Sequence, residues 1–245
     1  VSKRIWIKNP LAIYTGTDVD ANGGLVIQGS TIAEFVPAGG QPASPADETI
    51  DASEHVLIPG LINTHHHFYQ TLTRAFPHAL NKKLFPWLQT LYPIWAGLKP
   101  EHVAVSTELA LAELMLSGCT TAADHHYVFP EAVPDAMDIQ AEIAAAMGMR
   151  VALTRGSMSL GQDQGGLPPQ SVVQNEDTIM AESERLVNTL HDPSAGSMIT
   201  IALAPCSPFS VTAELMRSSA KLAQEKKVRL HTHLAETNDE NDFCI

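Results

Sequence analysis

From about Val56 onward, short apolar segments rich in β-branched residues alternate with longer stretches whose apolar residues recur every three or four positions. The first pattern suits strands and the second amphipathic helices, and their regular alternation marks βα units on a parallel sheet. The spacing predicts strands at 57–63, 120–125, 150–156, 198–205 and 228–233. Helices are expected in HVAVSTELALAELMLSG, PDAMDIQAEIAAAMG, NEDTIMAESERLVNTLH and TAELMRSSAKLAQEKK. Gly118 and Gly148 follow two of them, and Lys226 and Lys227 close another, as helix C-termini favour. A closed barrel needs eight such units and typically about 250 residues by itself. The expectation is therefore an open α/β sheet or the first five-eighths of a barrel, and the stop just after the fifth strand favours the barrel.

Residues 1–58 read differently. RIWIKN, LAIYT, GLVIQGSTIAEFV and ETIDA are short alternating or β-branched runs separated by Gly, Asn-Gly and Pro, a strand-and-turn pattern. The expected organisation is a small β-domain over 1–58 and the βα units over 59–245. A formal net charge of −12 with no basic cluster argues against nucleic-acid and anionic-membrane partners. Three widely spaced cysteines fit a reducing compartment, no apolar run is long enough to span a bilayer, and VSKRIWIKNP has no secretory core. A cytoplasmic protein, assembled as a homo-oligomer, is expected.

The chemistry concentrates at two strand ends. Pro59-Gly60-Leu61-Ile62-Asn63-Thr64-His65-His66-His67 carries an apolar strand into a histidine cluster. On an extended strand, residues two apart project to one side, so His65 and His67 can converge on one ion while His66 points away. Imidazole suits zinc, iron, nickel or copper. The second segment, Leu230-His231-Thr232-His233-Leu234-Ala235-Glu236, ends the last expected strand, and in a βα barrel all such ends share one rim. Spacing alone leaves His231 and His233 equivalent. Glu236 favours His233, because a carboxylate three residues beyond a ligand can reach over the ion and shuttle protons without coordinating it. Asp124, His125 and His126 end another strand on that rim, as pocket residues or as a structural Asp with supporting imidazoles. Of the aromatics after the first strand, Tyr69, Phe76, Trp87 and Trp95, some could stack on a flat ring and at least half are expected in the core.

The stretches IDASEHVLIPGLINTHHH, SGCTTAADHH, LAPCSPFSV and HTHLAET resemble the amidohydrolase superfamily, in its branch of cytosine, guanine and S-adenosylhomocysteine deaminases and triazine hydrolases. The resemblance implies a distorted (β/α)8 TIM-type barrel, of which about five βα units fall within this chain, and a small β-sandwich to which the N-terminal segment contributes. It implies His65, His67 and His233 as metal ligands and Glu236 as the acid/base. A further His after strand six and an Asp ligand after strand eight belong to the same pattern, and neither strand lies within these residues. Binuclear members bridge their ions with a Lys of the fourth strand, which Met198 to Pro205 lacks, so one divalent ion is expected, zinc first and iron second.

The same resemblance gives the substrate residues. Gln70 stands where guanine deaminases and some triazine hydrolases also carry Gln, and its amide can both donate and accept. Arg155 resembles the substrate-facing Arg of adenosine-type deaminases, while Cys206 replaces the His those enzymes carry, which argues against a nucleoside. The implied reaction is hydrolytic deamination: hydroxide supplied at the ion attacks an amidine carbon, and Glu236 carries the proton to the leaving amine. The first expectation is 8-oxoguanine, giving urate plus ammonia. The alternatives are a hydroxyatrazine-like s-triazine, guanine or cytosine, and, from another class, a scaffold that keeps the barrel without its chemistry.

Overall fold

A computed structural model of the protein describes residues 2–245, which divide into two compact units at Gly60. In the first unit the strands are β1 (Arg4–Lys8), β2 (Ala12–Ile13), β3 (Gly24–Gln28), β4 (Thr31–Val36), β5 (Glu48–Asp51) and β6 (Val56–Leu57). Four form one sheet in the order β4-β3-β1-β5, antiparallel except for the parallel β1/β5 pair, while β2 and β6 form a separate parallel pair. Trp6, Val26 and Val36 make its buried core. Gly29, at φ +63, turns the two-residue β3/β4 hairpin, where a positive φ matches the strand twist.

The second unit, Leu61–Ile245, is built on a parallel sheet in the order β10-β9-β8-β7, made of β7 (Leu61–Asn63), β8 (Cys119–His126), β9 (Arg150–Ser157) and β10 (Ile199–Pro205). Between the strands run α1 (Leu84–Trp95), α2 (Pro100–Leu116), α3 (Ala136–Met147), α4 (Glu176–Leu190) and α5 (Ala213–Lys226), followed by α6 (Asn238–Cys244). Gly118 and Gly148 take the left-handed conformation just beyond α2 and α3. Lys227 does the same after α5 despite its Cβ.

Three sequence expectations change. The strand placed at 57–63 is two strands, β6 and β7, because Pro59 has no N–H for a ladder and breaks the run. The strand placed at 228–233 is reduced to one bridge, Leu230 to Leu203, with hydrogen bonds from Leu203 N–H to Arg229 O and from His231 N–H to Leu203 O. It has a pairing partner on one side only among the described residues, and no closed barrel forms there. Finally, α1 was not foreseen: Pro86 is tolerated in its first turn and Pro93 lies near its end.

Strand alternation sorts the sheet into two faces. Ala122 of β8, Val151 and Leu153 of β9 and Ile201 and Leu203 of β10 all belong to the main core shared with α2 and α3. The register pairs Ala122 with Val151, Asp124 with Leu153 and His126 with Arg155, so Asp124, His126 and Arg155 share that helix-facing side. His125, paired with Thr154, takes the opposite face. Gly156 lies beside the end of β8, where a Cβ would overlap the His126 carbonyl and the Tyr127 backbone.

Candidate active site

After β7 the chain passes through His65 and His67, the latter the N-cap of a short 3-10 turn, Phe68–Thr73, that carries Gln70. The turn is pinned from below. The Phe68 N–H donates to Asp124 Oδ1 at 2.6 Å, and Gln140 Nε2 donates to Asp124 Oδ2 at 2.7 Å. Burial pushes the Asp124 carboxyl up to about 7, against the pull of these hydrogen bonds. Asp124 thus supports the His67 segment from the helix-facing side and does not line the cavity.

The tautomers of two histidines follow from their partners. His67 Nδ1 lies 2.7 Å from the His125 carbonyl and His233 Nδ1 lies 2.8 Å from the Cys206 carbonyl. A carbonyl oxygen only accepts, so both Nδ1 atoms carry the proton. Burial holds both rings below the ordinary histidine range, so they are neutral and each Nε2 keeps a bare lone pair. The two Nε2 atoms face one another at 3.3 Å. Two such nitrogens so close together are placed to share a cation, and a backbone-oriented Nδ1–H is the usual support of a ligating imidazole. His65 completes the group: candidate ligand atoms of His65, His67 and His233 all lie within 4.8 Å of one another. Burial, with the neighbouring histidines, holds His65 down to about 4.

Two other triads meet the same distance criterion, His65 with His125 and His231, and His125 with Cys206 and His233. The second needs a thiolate, whereas burial pushes the Cys206 thiol up to about 12, so the thiol stays protonated. The first shares His65, whose Nδ1 is 3.1 Å from His231 Nε2. His125 stacks on His233 at 4.5 Å and 7°, with neither of its buried ring nitrogens hydrogen-bonded among the described residues. Sequence reasoning left it undistinguished from His126. The missed signal is parity in β8, which turns His125 inward and buries His126 against the Val128 carbonyl at 2.8 Å.

A cavity of about 240 Å³ opens beside the imidazoles. His65, His67 and His233 line one side, with Gln70, Cys206 and Glu236 around them. Trp87 and Tyr92 from α1, with Tyr127 and Phe209, give it aromatic walls. Gln70 Nε2 donates to the Tyr127 hydroxyl at 3.1 Å. Glu236 is exposed at the cavity, where partial burial and then the charge of Glu240 raise its carboxyl above the ordinary range. Of the sequence candidates for stacking, Trp87 lines the cavity, Phe76 packs beside the core, and Tyr69 and Trp95 are core residues. Tyr92 and Tyr127 were not foreseen.

Arg155 is a correction. It lies outside the cavity, 2% exposed, with its guanidinium 4.0 Å from the Phe129 ring centre and donating to Gln174 Oε1 at 2.7 Å and to the Gly156 carbonyl. The reason is parity: it shares the face of Leu153, which packs into the core. Cys206 does line the cavity, and its backbone carbonyl also holds both the N–H and the Nδ1–H of His233.

Residues 56–244 match the profile of the Amidohydrolase family. The chain is 60% identical over 242 residues to the 8-oxoguanine deaminase of Pseudomonas aeruginosa, a match covering 99% of this chain and 54% of that protein. It is 33% identical over 228 residues to hydroxydechloroatrazine ethylaminohydrolase of Pseudomonas sp. (strain ADP), covering 91% and 47%. Among solved structures, atrazine chlorohydrolase TrzN from Arthrobacter aurescens TC1, complexed with zinc, superposes with a TM-score of 0.86 at 30% identity, covering 96% of this chain and 54% of that one. The chain spans about half the length of the curated relatives it matches.

Proposed function

The chain belongs to the amidohydrolase family, and on that premise we propose that it carries the metal-binding half of a hydrolytic deaminase that converts 8-oxoguanine to urate and ammonia. The observation that carries the metal site is the pair of facing Nε2 lone pairs of His67 and His233, each fixed by an Nδ1–H to a backbone carbonyl. His65, His67 and His233 are the proposed ligands of one divalent ion, zinc first and iron second. The zinc complex of the atrazine chlorohydrolase supports zinc. Such an ion lowers the pKa of a water toward about 7 and so supplies hydroxide at neutral pH.

Residues of this chain also serve the proposed proton transfers and substrate binding. Glu236 is the proposed acid/base: it takes one proton of the water to the ring nitrogen beside the reacting carbon, and the second proton of that water goes to the departing amine. A carboxyl lifted above its ordinary range holds that proton closer to neutrality. The aromatic walls suit a flat heterocycle, and the Gln70 amide is proposed to meet its lactam edge, with Cys206 beside it. The net change is one water added at the amino-bearing carbon and one ammonia lost.

Residues 1–58 are proposed as part of a β-sandwich and 59–245 as the first five units of a (β/α)8 barrel, and the cytoplasm and a homo-oligomer remain the expected setting. No helix among the described residues is long and apolar enough to cross a membrane. Ammonia release by the full-length gene product from 8-oxoguanine, guanine, cytosine and hydroxyatrazine tests the activity. Turnover of 8-oxoguanine is expected; hydroxyatrazine turnover without it would transfer the assignment to the triazine reading, which the similarity to two triazine-degrading enzymes supports.

A further inference from the structure

Between His233 and α6 the chain makes a tight turn. Ala235 takes the left-handed conformation at φ 56, which a residue with a Cβ adopts only when its surroundings impose it. Glu240 imposes it. One carboxylate oxygen accepts from the Ala235 N–H and the other from the Glu236 N–H, both at 2.8 Å, and Glu240 is only 2% exposed.

The simplest use of this residue is as a helix cap. Thr237 is the N-cap of α6 and Glu240 stands three residues on, the Thr-x-x-Glu pattern of a capping box. In a capping box, however, that Glu bonds the N–H of the cap residue itself. Here both oxygens pass over Thr237 and take the two N–H groups before it. Glu240 also makes no ion pair among the described residues. A buried carboxylate without a cation is costly, and both its acceptors here are committed to the turn that carries Glu236.

We propose that Glu240 is a positioning residue for Glu236: by gripping the consecutive N–H groups of Ala235 and Glu236, it fixes the turn that presents the Glu236 carboxylate to the cavity three residues beyond His233. This rests on Glu236 being the acid/base.

The test is a double-mutant cycle in the full-length gene product, with Glu240→Gln, Glu236→Gln and the double variant, read by kcat and KM for 8-oxoguanine, bound zinc and amide exchange across the turn. Glu240→Gln is expected to lower kcat by up to about 100-fold through misplacement of the acid/base. KM and zinc content stay near wild type, and exchange accelerates at the Ala235 and Glu236 amides. In the Glu236→Gln background the same substitution changes kcat less than about twofold, because nothing remains to position. An unchanged kcat in Glu240→Gln, or the same fractional loss in both backgrounds, overturns the positioning role while leaving Glu236 as acid/base. A fully active Glu236→Gln overturns the acid/base reading, and this inference with it. Should Glu240→Gln fail to fold, Glu240→Asp, one methylene short of both amides, gives the same readouts, and wild-type kcat there overturns the proposal.

Discussion

His125 and His126 are adjacent on β8 and chemically identical, yet they belong to different parts of the protein. His125 faces the imidazole cluster with both ring nitrogens unpaired among the described residues, while His126 is buried on the helix side with Nε2 on a backbone carbonyl. The same division separates the inward residues His67 and His233 from the outward residues Asp124 and Arg155. One face of the strand ends is available for chemistry and the other holds the first in place. Side-chain type does not decide which; one position along a strand does.

Substitutions should therefore divide the same way. His67→Ala is expected to abolish measurable turnover and most bound zinc, beyond the roughly 10- to 100-fold cost of losing a ligand's supporting partner. Stoichiometric zinc in the purified variant would remove His67 from the site. Glu236→Gln should keep the zinc and lower kcat by about 100- to 10,000-fold. On the outward face, Asp124→Asn should cost about 1–3 kcal/mol of stability by weakening its two hydrogen bonds, or about 2–4 °C in melting temperature per kcal/mol. Its pH dependence sharpens the contrast. The native carboxyl titrates at about 7, against 3.8 for the ordinary group. Wild type therefore loses the stability gained from holding this proton as pH rises through that window, and the asparagine does not. The melting gap between the two should narrow from pH 4 to pH 7; a constant gap would contradict the raised value. The smallest effect is expected for Arg155→Met, with KM within about twofold of wild type and only a modest fall in melting temperature. A large rise in KM would restore Arg155 to the cavity.

Much of this is legible in the sequence alone. Apolar periodicity located α2 to α5 and the three long strands β8, β9 and β10, because those segments bury one face and polar residues mark the other. His65, His67, His233, Gln70, Cys206 and Glu236 do gather on one cavity, since strand ends of a parallel sheet share a rim. What escaped was finer than pattern. α1 carries two prolines, so its aromatics read as loop, and with it went Tyr92. Arg155 was placed by motif where counting from Leu153 turns it into the core. The fifth strand has its pattern but, among the described residues, pairs only through the Leu203–Leu230 bridge. The grip of Glu240 on the Glu236 turn involves backbone N–H groups, which no spacing of side chains announces.

Gly156 has a consequence for how the pocket could be re-engineered. It sits against Tyr127, which lines the cavity and receives the Gln70 amide. The absence of a side chain at 156 is thus what lets the ends of β8 and β9 approach beside that wall. Any side chain at 156 would overlap the His126 carbonyl and the Tyr127 Cα and Cβ, so the pairing of these two strand ends would have to shift. Position 156 is therefore coupled to the cavity wall through Tyr127 without lining the cavity itself.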